Sequence, residues 1–205
     1  GEQLQPWQRS FVTLFLRHRE WYGKARLLLA DEVGVGKTLS MAASAMLSAL
    51  LGDGPALILA PATLTWQWQT ELLDKLGIPS LVWSSQDQSW KDPNGHDLSP
   101  KKDPSFISRC PYKIAIVSTG LIMQQRQDGV FIREAGGLLS RRNYGIVILD
   151  EAHKARGHGK EKRVPNNLLA FMNQIAQRTK HIILGTATPI QTSIHDLWDL
   201  LEIFL

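Results

Sequence analysis

Two groups of residues in this 205-residue chain have types and spacings that could do chemistry together. The first is Gly34-x-Gly36-Lys37-Thr38, inside the stretch "LLLADEVGVGKT" that runs from Leu27 to Thr38. Glycines let a backbone turn its N–H groups toward an anion, and the amino end of a following helix adds partial positive charge. In such a loop the backbone of Gly34, Val35 and Gly36 would surround a phosphate chain. Lys37 would reach its β and γ phosphates, and the Thr38 hydroxyl would ligate Mg2+. The usual pattern has one more glycine five positions before Gly36, where this chain has Asp31. Standing alone, the stretch could be a glycine turn that caps a helix.

The second group is the end of "GIVILDE", an apolar run closed by the adjacent acids Asp150 and Glu151. Successive side chains diverge, so Asp150 can face a Mg2+ shell while Glu151 holds and deprotonates an attacking water. A single acid pair can be a solvated strand end. An acid pair in the same sheet as a Gly-Lys-Thr loop points instead to an ATP or GTP site.

Those groups can meet only if the elements between them form one sheet. Apolar, branched runs recur at 26–30, 56–60, 80–83, 113–118, 145–150 and 181–185, continuous rather than alternating, as in strands covered on both faces. Helix-length segments with apolar spacing of three and four lie between them, among them 38–51, 65–76 and 166–177. Strand and helix in alternation predict an α/β fold with a mostly parallel sheet and right-handed crossovers. Residues 84–111 hold four prolines and are rich in Ser, Asp and Lys, which predicts an irregular insertion. Ligands of such sheets sit beyond the carboxyl ends of the strands. Five polar loops, "DEVGVGKT", "PATLTWQWQ", "STG", "DEAHKAR" and "TATPIQT", would therefore line one edge.

The bulk composition agrees. At 43% hydrophobic the chain can bury one core, and a single domain over 1–205 is expected. The lone Cys110 excludes an internal disulfide framework and a cysteine-rich zinc site, and fits a reducing compartment. No stretch approaches the roughly 20 apolar residues of a membrane span, so an intracellular protein without a membrane partner is expected. The first residue, Gly1, and the apolar end at Leu205 suggest a fragment of a longer protein. The net charge of +4 is small, but 154–163, "KARGHGKEKR", holds five Lys or Arg against one Glu, a local excess of the same size. It reads as a solvated loop or as one that touches phosphates.

In order along the chain, "DEVGVGKT", "LAPATLTWQWQTEL", "VSTGLI", "LDEAHKAR" and "LGTATPIQTSIHDLWDLLEIFL" resemble the motifs of superfamily two helicase-type ATPases, most closely the Swi/Snf-like DNA translocases. That family writes its phosphate loop as Asp-Glu-x-Gly-x-Gly-Lys-Thr, so Asp31 belongs to the pattern. The resemblance spans about Leu4 to Leu205 and covers one of the family's two RecA-like motor lobes. Val33 and Val35 stand where the family commonly has Met and Leu, Thr192 or its neighbour where it has Asn, and "TATP" replaces "TGTP". These departures look like a bacterial-type branch.

The resemblance implies ATP and Mg2+ as cofactors and a duplex DNA backbone as partner. It implies that Gln8 in "LQPWQ" reads the adenine edge, and that His153 links the nucleotide site to the loop of Thr186 and Thr188. It places Pro61 and Thr63, and Ser118 and Thr119, against the phosphates of one strand. Lys154 and Arg156 in the basic loop are further candidates. Trp68 shares one helical face with Leu64, Leu72 and Leu76 and reads as core rather than as a base-stacking group. The expected function is the ATP-binding lobe of a double-stranded DNA translocase, completed by arginines from a second lobe. The alternatives are a strand-separating DNA or RNA helicase, and a catalytically idle nucleotide switch or scaffold lobe.

Overall fold

The computed structural model of the chain describes residues 4–30, 36–124, 130–187 and 193–205, with side chains described except at 130–134. Gly34, Val35 and Thr188, with Asp31, Val33 and Thr192, lie outside the described residues. Seven strands form one sheet: β1 (Arg26–Ala30), β2 (Ala56–Ala60), β3 (Leu81–Ser84), β4 (Ser89–Lys91), β5 (Ile114–Ser118), β6 (Tyr144–Leu149) and β9 (Thr179–Thr186). Their order across the sheet is β1-β9-β6-β2-β5-β3-β4. Every pairing is parallel except that of β3 with β4.

Because side chains alternate along a strand, a run such as "ALILA" must be covered on both faces. On β2, Leu57 and Leu59 join a core with Val147, Leu149, Leu168, Met172 and Ile175. Ile58 between them joins a second core with Phe15, Met41, Ala45, Leu72 and Ile148. Burying each such side chain contributes about 1.5–3 kcal/mol. The first core is roofed by α4 (Thr119–Met123), α5 (Val130–Ser140), α6 (Asn167–Ala176) and α7 (Ile194–Glu202). The second is roofed by α1 (Pro6–Tyr22), α2 (Lys37–Leu50) and α3 (Thr65–Leu76). The result is a three-layer α/β sandwich of the RecA-like type. Alanines let α2 lie close on the sheet, and at Gly185 a Cβ would stand 2.7 Å from the sulfur of Met41. A side chain there would have to push aside the Met41 thioether.

The segment 84–111 departs from the expectation of irregular chain. It adds β4 to the sheet edge and a 3-10 turn at Pro104–Ser108. Trp83 and Trp90 meet edge to face with ring centroids 5.2 Å apart, and the Trp90 indole donates to the Phe106 carbonyl at 2.7 Å. Two tryptophans and Ile107 supply the apolar area that the Pro, Ser and Asp content conceals. The basic stretch also contains structure, because β7 (Gly157–His158) pairs antiparallel with β8 (Val164–Pro165).

At the amino-terminal edge of the sheet, Asp53 is held by three side chains. Arg19 donates to both of its oxygens at 2.8 Å, Ser48 donates at 3.0 Å, and His181 Nε2 lies 3.0 Å away. The Ala25 N–H donates into His181 Nδ1 at 2.9 Å, so the ring proton sits on Nε2 and the imidazole is neutral. Burial pushes the Asp53 carboxyl up, but the Arg19 and Ser48 hydrogen bonds and the nearby positive charge outweigh it and hold it down to about 2. Burial lowers the pKa of His181, against the pull of Asp53.

Candidate active site

All parallel strands end on the opposite edge, and the register brings their ends level: Ala30 pairs with Thr186, Leu149 with Leu184, Leu59 with Leu149, and Ala60 with Ser118. The described parts of the five polar loops therefore open on one side. At β1 the chain enters α2 through Gly36, whose φ of 83° lies in the left-handed region that glycine adopts without strain. A Cβ at Gly36 would also stand 2.4 Å from Gln8 Nε2. Lys37 opens the helix and is only 5% exposed, and no carboxylate among the described residues pairs with its ammonium. Thr38 follows, half-buried, in the first turn. A lysine at a buried helix amino end, with no carboxylate partner among the described residues, is suited to meet an anion.

Gln8 is 4% exposed and packs behind this loop. Its Nε2 donates to the Gly36 carbonyl at 2.9 Å, and its Oε1 accepts from the Gln5 N–H at 2.7 Å. Half of the amide's hydrogen-bonding capacity is thus spent on backbone, and contact with adenine is left to the remaining N–H and lone pair. Trp7 lies against the same glycine, its ring 3.2 Å from where a Cβ would stand.

Beyond β6, Asp150 is 6% exposed and its own N–H donates to the Leu59 carbonyl of the neighbouring strand at 2.8 Å. Its Oδ1 accepts the Glu151 N–H at 2.9 Å, and its Oδ2 accepts the Trp68 indole N–H at 3.1 Å. Glu151 then takes a left-handed backbone, φ 55° and ψ 45°, which costs a non-glycine residue roughly 1–3 kcal/mol. The turn separates the two carboxylates. Glu151 Oε2 lies 3.3 Å from His153 Nε2, and His153 Nδ1 lies 3.4 Å from the Thr186 hydroxyl. A neutral ring with its proton on Nε2 satisfies both contacts, donating to the carboxylate and accepting from the hydroxyl. The structure thus brings Glu151, His153 and Thr186 into one chain of contacts across β6 and β9.

The remaining sequence candidates divide. Thr63 is exposed in the 3-10 turn Ala62–Leu64, with Pro61 half-buried ahead of it. Ser118 caps α4, accepting the Gly120 N–H at 3.1 Å. Thr119 is 3% exposed, so its side chain belongs to the interior and does not reach the surface where phosphates would lie. Lys154 is half-buried and Arg156 exposed, and the Asn166 side chain ties this stretch down by donating to the Lys154 carbonyl at 2.7 Å. Arg163 is withdrawn from the basic set. Its guanidinium pairs with Asp196 and Asp199 of α7, and the Asp199 hydrogen bond raises its pKa. The Gly157 N–H also donates to Asp199, at 2.9 Å, which fastens the β7–β8 hairpin to that helix.

Trp68 is the residue that the sequence reading placed only in the core. It is buried there, but its N–H also reaches Asp150, a contact that links elements 82 positions apart and that helical spacing does not signal.

A family model described as the SNF2-related domain matches residues 7–205. The chain is 26% identical over 206 residues to "Chromodomain-helicase-DNA-binding protein 8" of Danio rerio, covering 98% of this chain and 7% of that protein. It is 28% identical over 208 residues to "Protein CHROMATIN REMODELING 19" of Arabidopsis thaliana, covering 98% and 25%. The chain thus spans a quarter or less of the length of these curated relatives. Among solved structures, "Sulfolobus solfataricus SWI2/SNF2 ATPase core in complex with dsDNA" superimposes with a TM-score of 0.66 at 19% identity, over 98% of this chain and 36% of that one. This likeness carries the fold. None of these similar proteins is bacterial, so the bacterial-type branch expected from Val33, Val35 and "TATP" is not borne out.

Proposed function

The chain belongs to the SNF2-related domain family, and from that premise we propose that it is the ATP-binding, amino-terminal RecA-like lobe of an ATP-driven motor that moves along double-stranded DNA. The observation that carries the reading is Lys37: a buried lysine with no carboxylate partner among the described residues, at the amino end of α2, on the sheet edge where Asp150 and Glu151 close β6. A triphosphate supplies the missing negative charge.

The residues present also fit a divalent cation that arrives with the nucleotide. Among the described residues no three metal-ligating side chains cluster. Mg2+ needs only one or two protein groups when phosphates and waters fill its octahedron, and Thr38 and Asp150 are those groups here. Bound there, it would neutralise charge on the β and γ phosphates. Lys37 holds the phosphates in place. Glu151 orients the attacking water and takes its proton as the water oxygen bonds to the γ phosphorus and the bridge to the β phosphate breaks. His153 holds the Glu151 carboxylate and connects it to Thr186, at the end of β9.

Cationic groups that stabilise the transferred phosphoryl would come from a second lobe. Duplex DNA would lie along Pro61, Thr63 and Ser118, with Lys154 and Arg156 beside it, held by phosphate contacts that read no sequence. Small groups suit that task because the backbone can approach the phosphates closely. No helix among the described residues is long and apolar enough to cross a membrane.

The test is nucleotide binding and ATP turnover by the full-length protein, with and without duplex DNA, for wild type and Lys37→Ala. Duplex-stimulated hydrolysis that vanishes in the variant supports the reading. Hydrolysis that survives it, or no nucleotide binding by wild type, refutes it.

A further inference from the structure

We propose that Trp68 is a positioning residue for the nucleotide site: its indole N–H fixes the carboxylate of Asp150 as an acceptor oriented for a divalent cation. The proposal rests on the nucleotide reading above and assigns a role to a residue outside the set that would touch ATP.

The geometry is specific. Trp68 is 1% exposed, and its Nε1 stands 3.1 Å from Asp150 Oδ2 while the Glu151 N–H occupies Oδ1 at 2.9 Å. An indole N–H donates and cannot accept, so it holds the carboxylate in its acceptor state and cannot turn to offer a lone pair, as a hydroxyl or amide could. A hydrogen bond to a charged oxygen in a buried setting is roughly twice as strong as a neutral one. With one lone pair of each oxygen engaged from behind, the others stay available in a fixed direction.

Packing alone does not account for a tryptophan here. Phenylalanine or leucine could meet Leu64, Leu72 and Leu76 on that helical face. Nor does every core tryptophan of this chain find such a partner. Trp83 Nε1 is buried without a hydrogen bond, and Trp90 Nε1 donates to a main-chain carbonyl far from the site. Trp68 also lies one turn into α3, directly after the 3-10 turn Ala62–Leu64 that carries the exposed Thr63.

The experiment uses the full-length protein, with Mn2+ as the metal probe and ADP as the nucleotide. Bound Mn2+ is read by electron paramagnetic resonance, and ADP affinity is measured separately in EDTA. Replacing Trp68 with 3-benzothienylalanine, or by Trp68→Phe, deletes the N–H and keeps an apolar ring. The expected result is Mn2+ affinity in the presence of ADP about tenfold weaker, in the range typical of lost outer-shell partners. Metal-free ADP affinity should stay within about twofold, and Trp90→Phe should leave Mn2+ affinity unchanged. If the benzothienyl protein binds Mn2+ as wild type does, or if Trp90→Phe weakens it equally, the positioning role is wrong while the nucleotide site stands. Wild type that binds neither ADP nor Mn2+ removes both.

Discussion

The carboxamide of Gln8 bonds the carbonyl of Gly36 over 2.9 Å, so the first helix of the domain holds the entry to the phosphate loop. Gln8→Ala deletes that brace and leaves the Gly36 carbonyl and the Gln5 N–H without their partner. ATP and GTP affinity should therefore both fall, by about fivefold or more, in fluorescent-nucleotide competition titrations, because a buried group left unsatisfied costs roughly 1–3 kcal/mol. A loss confined to ATP would instead place the working contact of Gln8 at the adenine edge.

Glu151 is held by His153 at 3.3 Å in a turn whose backbone favours glycine or asparagine. Glu151→Gln keeps the size of the side chain and removes the base. Hydrolysis should fall by at least about a hundredfold, the lower range of a positioned general base, while nucleotide affinity changes little. Single-turnover kinetics beside equilibrium titration separate the two quantities.

The basic hairpin offers four cations rather than five, since Arg163 is committed to Asp196 and Asp199. If Lys154, Arg156, Lys160 and Lys162 each contact a phosphate, replacing all four with alanine should make the slope of log K against log salt shallower by about 3.6. Arg163→Ala should change that slope by less than one while loosening the hairpin from α7, read as faster amide exchange at residues 157–165. DNA affinity measured across a salt series checks both statements.

Acid should unfold the domain through Asp53 and His181. The Asp53 carboxyl is held near 2 against an ordinary 3.8, so its contribution of roughly 2 kcal/mol is complete above pH 4 and is lost as the pH falls toward 2. His181 has a lowered pKa, so the unfolded chain takes up the proton first. Its contribution is complete above about pH 6.5 and declines below it. A proton on Nδ1 would also break the bond from Ala25. Urea midpoints measured from pH 8 to pH 2.5 should fall in two stages, and Asp53→Asn should flatten the lower one.

Much of this molecule is written locally. Continuous apolar runs located β1 and β2 residue for residue and the other central strands β5, β6 and β9 to within two residues, because strands covered by helices on both faces are built mostly of apolar side chains. Gly36-Lys37-Thr38 and Asp150-Glu151 were placed for a related reason: each is a short contiguous group at a helix start or strand end, so the order of elements alone puts both on one edge of the sheet. Less was visible where the determining contact joins distant segments. The strand hidden at Ser89–Lys91 depends on Trp83 meeting Trp90, and Arg163 left the basic surface because α7 brings Asp196 and Asp199 to it. Trp68 kept its apolar spacing and still acquired a polar partner 82 residues away. Periodicity reports which face of an element is buried, and hydrogen-bond partners on that face are chosen only when the sheet and its helices close around them.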